Sequence, residues 1–142
     1  MTERSIPVKR LIPILLVLSL LLALTACGTP SELSFTNNLD TEIHNVYINS
    51  SDEMEWADSI SSSKISSGST IHFDFEKIGD GPGVYDIGVI DENAMNYDAY
   101  EVPLAVGDNI SVLGTADEAS VIITHEDGTT TTYDAYIYAN GE

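Results

Sequence analysis

The residues from Thr70 to Glu76 alternate strictly. Ile71, Phe73 and Phe75 are apolar, and His72, Asp74 and Glu76 between them are polar. Side chains on an extended strand point to opposite faces in turn, so the pattern fits a strand with one face buried and one in water. A helix would space its apolar residues three and four apart. The same period of two recurs along the chain. Leu33 and Phe35 alternate with Ser34 and Thr36, Val46 and Ile48 flank Tyr47, and Tyr85, Ile87 and Val89 share a face between Val84 and Asp91. Further strands are expected over Tyr97 to Leu104, Asn109 to Leu113, Ala119 to His125 and Thr129 to Tyr138.

Turn residues separate these runs. Asn37-Asn38-Leu39-Asp40, Gly79-Asp80-Gly81-Pro82-Gly83 and Gly107-Asp108 are punctuation of this kind, and Glu126-Asp127-Gly128 is the strongest hairpin signal. Ser50 to Ile60 differs. Asp52-Glu53-Met54-Glu55-Trp56 places acidic residues behind a serine or aspartate start, which predicts one or two helical turns, with Trp56 plugging an end of the core. Ser59 to Ser69 is a serine-rich surface loop with Ile65 pinning its middle. About eight short strands at hairpin-like spacing predict an all-β fold, an antiparallel immunoglobulin-like β-sandwich of seven to eight strands. A barrel is the alternative. The cysteine–tryptophan–cysteine signature of antibody domains is missing, so that likeness is architectural.

The N-terminus follows another logic. Arg4, Lys9 and Arg10 precede a nearly unbroken apolar run from Leu11 to Leu24, and small residues follow: Thr25, Ala26, Cys27 and Gly28. That order is that of a secretory signal, and the run is short of the roughly 20 residues a spanning helix needs. Leu24-Thr25-Ala26-Cys27 resembles the lipobox of bacterial lipoproteins. The resemblance covers the first 28 residues. It implies a signal helix over 1–26, a diacylglyceryl group on the Cys27 thiol, cleavage before Cys27, and a tether over 27–32 leading into a domain over 33–142. A tether of five residues beyond Cys27 reaches at most about 18 Å. The expected location is extracytoplasmic, lipid-anchored to the cell membrane or the outer membrane. Cys27 is the only cysteine, so no internal disulfide braces the domain and its stability must come from a packed core.

Removing residues 1–26 takes away Glu3 together with Arg4, Lys9 and Arg10, which shifts the net charge from −18 to −20. The two remaining basic residues, Lys64 and Lys77, cannot form the basic patch that nucleic acid or an anionic lipid surface requires. Nucleic acid is therefore excluded as a partner. The carboxylates are spread along the chain, as in a solubilising acidic coat.

A second resemblance runs from Leu33 to Leu113. Asn45-Val46-Tyr47-Ile48-Asn49-Ser50, Glu55-Trp56-Ala57-Asp58-Ser59-Ile60, Ile65 to Ile71 and Val84 to Asp91 fall in the order of a small β-sandwich module of bacterial secreted and surface proteins. Members of that family usually carry Trp-Gly where this chain has Trp56-Ala57. The resemblance bears on fold and carries no activity.

Catalytic chemistry finds little purchase. No Gly-x-Ser-x-Gly elbow is present, and no His-x₃-His or Cys-x₂-Cys spacing marks a zinc site. His72 and Asp74, two apart on an expected strand, are the minimal acid–base pair. Calcium is the ion best matched to loop oxygens, with Asp80, Asp91, Asn93 and Asp98 as candidate ligands, although none has EF-hand spacing. Asn49-Ser50-Ser51 and Asn109-Ile110-Ser111 match the glycosylation triplet. The expectation is a non-enzymatic, lipid-anchored binding or accessory module of the bacterial cell envelope. It has no cofactor, and its partner is an envelope protein or polysaccharide. The alternatives are a hydrolase acting on an envelope polymer and an acidic structural coat. An aromatic strip formed by Tyr97, Tyr100, Tyr136 and Tyr138 on one sheet face would favour the binding reading.

Overall fold

Leu33–Leu39 (β1) and Ile43–Ser50 (β2) are consecutive strands, yet they open two different sheets. In the computed structural model, which describes residues 31–139, they are followed by Thr70–Phe73 (β3), Gly83–Asp91 (β4), Met95–Leu104 (β5), Asn109–Gly114 (β6), Ala119–Thr124 (β7), Thr130–Asp134 (β8) and Tyr136–Ala139 (β9). The signal segment 1–26, Cys27 and most of the tether lie outside the described residues. One sheet runs β3-β1-β6-β7-β8 and the other β2-β4-β5-β9. All neighbouring pairs are antiparallel except β1 and β6, which run parallel. The expected all-β sandwich is therefore the fold, with nine strands in place of seven or eight.

The core lies between the sheets. Leu33, Phe35, Leu39, Ile110, Val112, Val121 and Ile123 face Val46, Ile48, Ile87, Val89, Tyr97, Ala99 and Val102, all of them buried. Burying an aliphatic or aromatic side chain of this size contributes about 1.5–3 kcal/mol, and no disulfide is needed to hold such a layer. Two β-bulges keep the apolar residues inward. One lies at Ile43/Asn45 on β2. The other inserts an extra residue into β5, so that Ala99 pairs with Ile87 and Val102 with Tyr85. Glu101 takes the positive φ of 55° there, and its N–H is held by Asp86 Oδ1 at 2.9 Å.

Several local expectations change. Thr129 to Tyr138 is two strands, because the chain crosses from one sheet to the other at Ala135. Tyr133, Ala135 and Ile137 pack against the core from both sides of the crossing, so the alternation continues unbroken through it. The strand at Thr70 ends at Phe73, and Phe75–Lys77 forms a 3₁₀ turn that still buries Phe75. Ser51 to Ile60 forms no helix. Instead it returns along β2, where Ile60 N–H donates to the Val46 carbonyl at 2.8 Å and Ser59 Oγ accepts from Val46 N–H at 3.2 Å. A ten-residue helix is marginal in water, and here the segment covers an edge strand's unpaired backbone groups. Ile65 does pin the serine-rich loop, through paired backbone bonds to Ile43 of 2.9 and 2.8 Å. The fold also begins earlier than Leu33. Glu32 exchanges bonds with Asp74 and Phe75, each at 3.0 Å, so the last tether residue is already docked.

Candidate functional site

The outer face of the four-stranded sheet carries a row of aromatic rings. Tyr47 on β2 stands 6.3 Å from Trp56, Trp56 stands 6.4 Å from Tyr100 on β5, and Tyr100 stands 5.7 Å from Tyr136 on β9. The rings are tilted by 42–58°, which sets edges against faces as aromatic quadrupoles prefer. Period two puts Tyr47, Asp98, Tyr100, Tyr136 and Tyr138 outward while their neighbours Ile48, Tyr97 and Ala99 face the core.

Trp56 comes from the loop after β2 and lies across β4 at Gly88. A Cβ on Gly88 would meet Trp56 Cη2 at 3.1 Å and Asp98 Oδ1 at 3.2 Å. The glycine thus lets an indole and a carboxylate approach the same point on the sheet. Trp56 is 41 % exposed and sits on the sheet's outer surface, which corrects the expectation that it plugs the core.

Asp98 is the polar centre of this surface. It is 2 % exposed, and its Oδ2 accepts from Tyr138 Oη at 2.6 Å and Tyr100 Oη at 3.1 Å. Oδ1 has no protein hydrogen-bond donor among the described residues and lies beside Gly88, and Asp98 lines a pocket of about 330 Å³ with Tyr47, Trp56, Gly88, Asn96 and Tyr138. Burial pushes the Asp98 carboxyl above its usual range, the two phenols pull it back, and the Asp86 charge adds to the rise. The phenols are held protonated in turn. The bond to Asp98 raises Tyr138 above its ordinary value. Tyr100 is pushed up to about 12, by burial first and then by the Asp98 charge.

The chain matches no family model, no curated protein and no solved structure.

The expected aromatic strip is present with one correction. Tyr97 is not part of it, because it lies three positions from Tyr100 and so faces the other way. It is buried 2 % exposed in the core, donating to Asp91 Oδ2 at 3.2 Å. Trp56 and Tyr47 take its place in the row. Nothing in a single strand's pattern reports that Trp56 folds back over β4. The signal that locates it is Gly88, a glycine in the middle of a strand.

The calcium candidates are not brought together. Among the described residues no three of His, Cys, Asp and Glu cluster as a metal site. Asp80 lies before β4 and Asp91 at its far end. Asp91 faces inward, where Oδ1 accepts from the N–H groups of Asn93 and Met95 at 2.9 Å each and Oδ2 from Thr41 and Tyr97 at 3.1 and 3.2 Å. It ties a turn and spends its acceptors on the protein. Asn93 takes part through its backbone, and Asp98 points to the opposite face.

His72 and Asp74 do not form a pair on one strand face. Asp74 leaves the strand to precede the 3₁₀ turn, and its Oδ1 accepts from Glu32 N–H. A different pair does form. His125 Nδ1 stands 2.9 Å from Asp108 Oδ1, and Nε2 stands 3.3 Å from Thr131 Oγ1. Asn109 pairs with Thr124, so the residues one step outside that pair, Asp108 and His125, meet across the hairpin end. Asp108 also holds Ala105 N–H at 2.8 Å, which makes it the anchor of the β5–β6 turn. Neither glycosylation triplet presents a free asparagine. Asn49 is buried, and Asn109 Nδ2 donates to Ser34 and Thr36 at 2.7 and 3.0 Å.

Proposed function

We propose that the chain is a lipid-anchored, extracytoplasmic binding module of the bacterial cell envelope, non-enzymatic, which engages its ligand on the aromatic outer face of the four-stranded sheet. The anchor rests on the order of charge, apolar run and small residues before Cys27. The single observation that carries the binding reading is the aromatic row Tyr47, Trp56, Tyr100 and Tyr136, whose first two rings line the pocket at Asp98. Large rings left partly in water on a rigid sheet face are costly as a coat and useful as contacts.

A hydrolase would need carboxylates free to act on a substrate. Asp86 Oδ1 is held by Ser51 Oγ at 2.7 Å and Glu101 N–H at 2.9 Å, and Asp98 Oδ2 by two phenols, so Asp98 Oδ1 stands at the pocket without a second free carboxylate oxygen lining it. An acidic coat would need no aromatic row.

The test is co-sedimentation of the detergent-extracted protein with purified envelope polymer, beside a double variant Trp56→Ala, Tyr100→Ala whose circular dichroism spectrum is unchanged. Retention of the native protein and loss by the variant is expected. Equal behaviour of the two ends the binding reading. Membrane fractionation of Cys27→Ser tests the anchor separately, and full retention of a processed mutant removes it.

A further inference from the structure

The binding reading leaves the ligand's chemistry open, and the pocket between Trp56 and Asp98 restricts it. At about 330 Å³ it lies at the small end of ligand sites. Its walls are the rings of Tyr47, Trp56 and Tyr138, and its floor is Gly88 beside Asp98 Oδ1. We propose that this pocket binds a compact quaternary ammonium group, its methyls against the aromatic faces and its charge opposite Asp98 Oδ1. The proposal rests on the binding reading and deepens it.

Three observations point to a cation. Aromatic faces carry negative potential and hold a cation placed over them within about 6 Å, most strongly when water is excluded. Asp98 is a carboxylate nearly out of solvent, with one oxygen saturated by Tyr100 and Tyr138 and the other without a protein donor beside Gly88, which lines the pocket with it. No lysine, arginine or histidine lines the pocket to neutralise it. Lys64, one of the two lysines beyond the signal, is instead paired with Glu42 at 3.3 Å. The upward push that burial gives Asp98 is the mark of a charge the protein alone does not compensate.

The choice of quaternary over primary ammonium follows from acceptor supply. A lysine-type ammonium has three N–H donors, and burying them unpaired is costly. Most of the lining is ring face or carbon, and of the Asp98 carboxylate only Oδ1 is left without a protein donor. A trimethylammonium group has no donors to satisfy, and its apolar surface suits ring faces. The same chemistry occurs on a lipid headgroup and on a soluble or polymer-borne substituent.

Trp56 is the only tryptophan, so its fluorescence reports the pocket directly. The full chain in a non-ionic detergent is titrated with choline chloride, with sodium chloride at matched ionic strength as the blank. A saturable change is expected for choline alone. Its neutral carbon isostere, 3,3-dimethylbutan-1-ol, should bind at least about tenfold more weakly, since only the charge differs. Asp98→Asn keeps an acceptor for both phenols and should lose about tenfold in choline affinity. Phosphatidylcholine added to the micelles that competes with choline for the Trp56 signal, where phosphatidylglycerol does not, would identify a headgroup as the source. Choline saturation without such competition would identify a soluble or polymer-borne group. Equal affinity for choline and the isostere, or no saturation by choline, overturns the inference. If envelope polymer perturbs Trp56 while choline does not, the cation falls and the binding reading stands. The isostere comparison uses the native protein, so it decides even if the variant does not fold.

Discussion

Tyr138 donates to Asp98 across the seam between β9 and β5, at 2.6 Å and forty positions apart in sequence. That bond joins the last strand of the sheet to the pocket's carboxylate. Beside it, Tyr100 reaches the same oxygen from within Asp98's own strand. The pocket and the docking of the C-terminal strand are therefore one piece of structure.

Tyr138→Phe should lower stability by about 1 kcal/mol. A hydrogen bond to a charged group contributes about 1.5–3 kcal/mol, and partial exposure of Tyr138 reduces that. For a domain of this size the midpoint should fall by about 4 °C. Tyr100→Phe should cost less, because its bond is longer. Thermal melting at neutral pH checks both, and an unchanged Tyr138→Phe midpoint would show the bond to be idle.

Alkaline pH should unfold the domain through its tyrosines. Burial, then Asp91, pushes Tyr97 up to about 12, and burial, then Asp98, does the same for Tyr100. In the unfolded chain both ionise near pH 10. Between those values the unfolded chain releases protons that the folded chain keeps. Their contribution is therefore complete below pH 10 and is lost as pH rises toward 12. Absorbance at 295 nm should lag a denatured control until the fold gives way, and the two should then converge. Coincident titration curves from the start would contradict this.

Much of the fold was legible because burial on one face enforces a period of two. Val46 with Ile48, Ile87 with Val89 and the hairpin at Gly128 all stand where alternation and turn chemistry put them. Alternation reports which side of a strand is buried and is silent on which sheet the strand joins. Hence the crossing at Ala135 and the parallel pairing of β1 with β6 were not readable. The site was half legible: Tyr100, Tyr136 and Tyr138 by parity, Trp56 only through the mid-strand glycine Gly88, since a long-range contact over that residue decided its place. Asp91 looked like a loop ligand because exposure cannot be read from residue type alone.

Gly114→Ala should be far more damaging than Gly128→Ala. Gly114 has φ +127°, and a Cβ there would overlap the Glu118 carbonyl oxygen and come within 2.5 Å of Ala119 Cα. Backbone cannot yield as a flexible side chain can, so a loss of at least about 3 kcal/mol is expected. Gly128, at φ +84°, has nothing within 4 Å, so its alanine variant bears only the conformational penalty of about 1 kcal/mol. Urea midpoints would rank the two, and similar losses would remove the steric account.

Salt should stabilise the domain in a way that is blind to the identity of the metal cation. With −20 charges beyond the signal, folding gathers like charges that unfolding spreads apart. At 0.15 M the screening length is about 8 Å, so added sodium chloride should raise the melting temperature. Asp91 has four protein donors on its two oxygens, and a calcium ion there would have to displace them. Asp91→Ala should therefore cost about 4 kcal/mol, because it orphans the buried Tyr97 hydroxyl and two N–H groups. The loss should be the same in calcium chloride as in sodium chloride at matched ionic strength. A bound ion would instead stabilise by about 2.7 kcal/mol at a hundredfold excess over its Kd and then saturate. A saturable shift unique to calcium, abolished by Asp91→Ala or Asp80→Ala, would make Asp91 a ligand and overturn its assignment as a turn anchor.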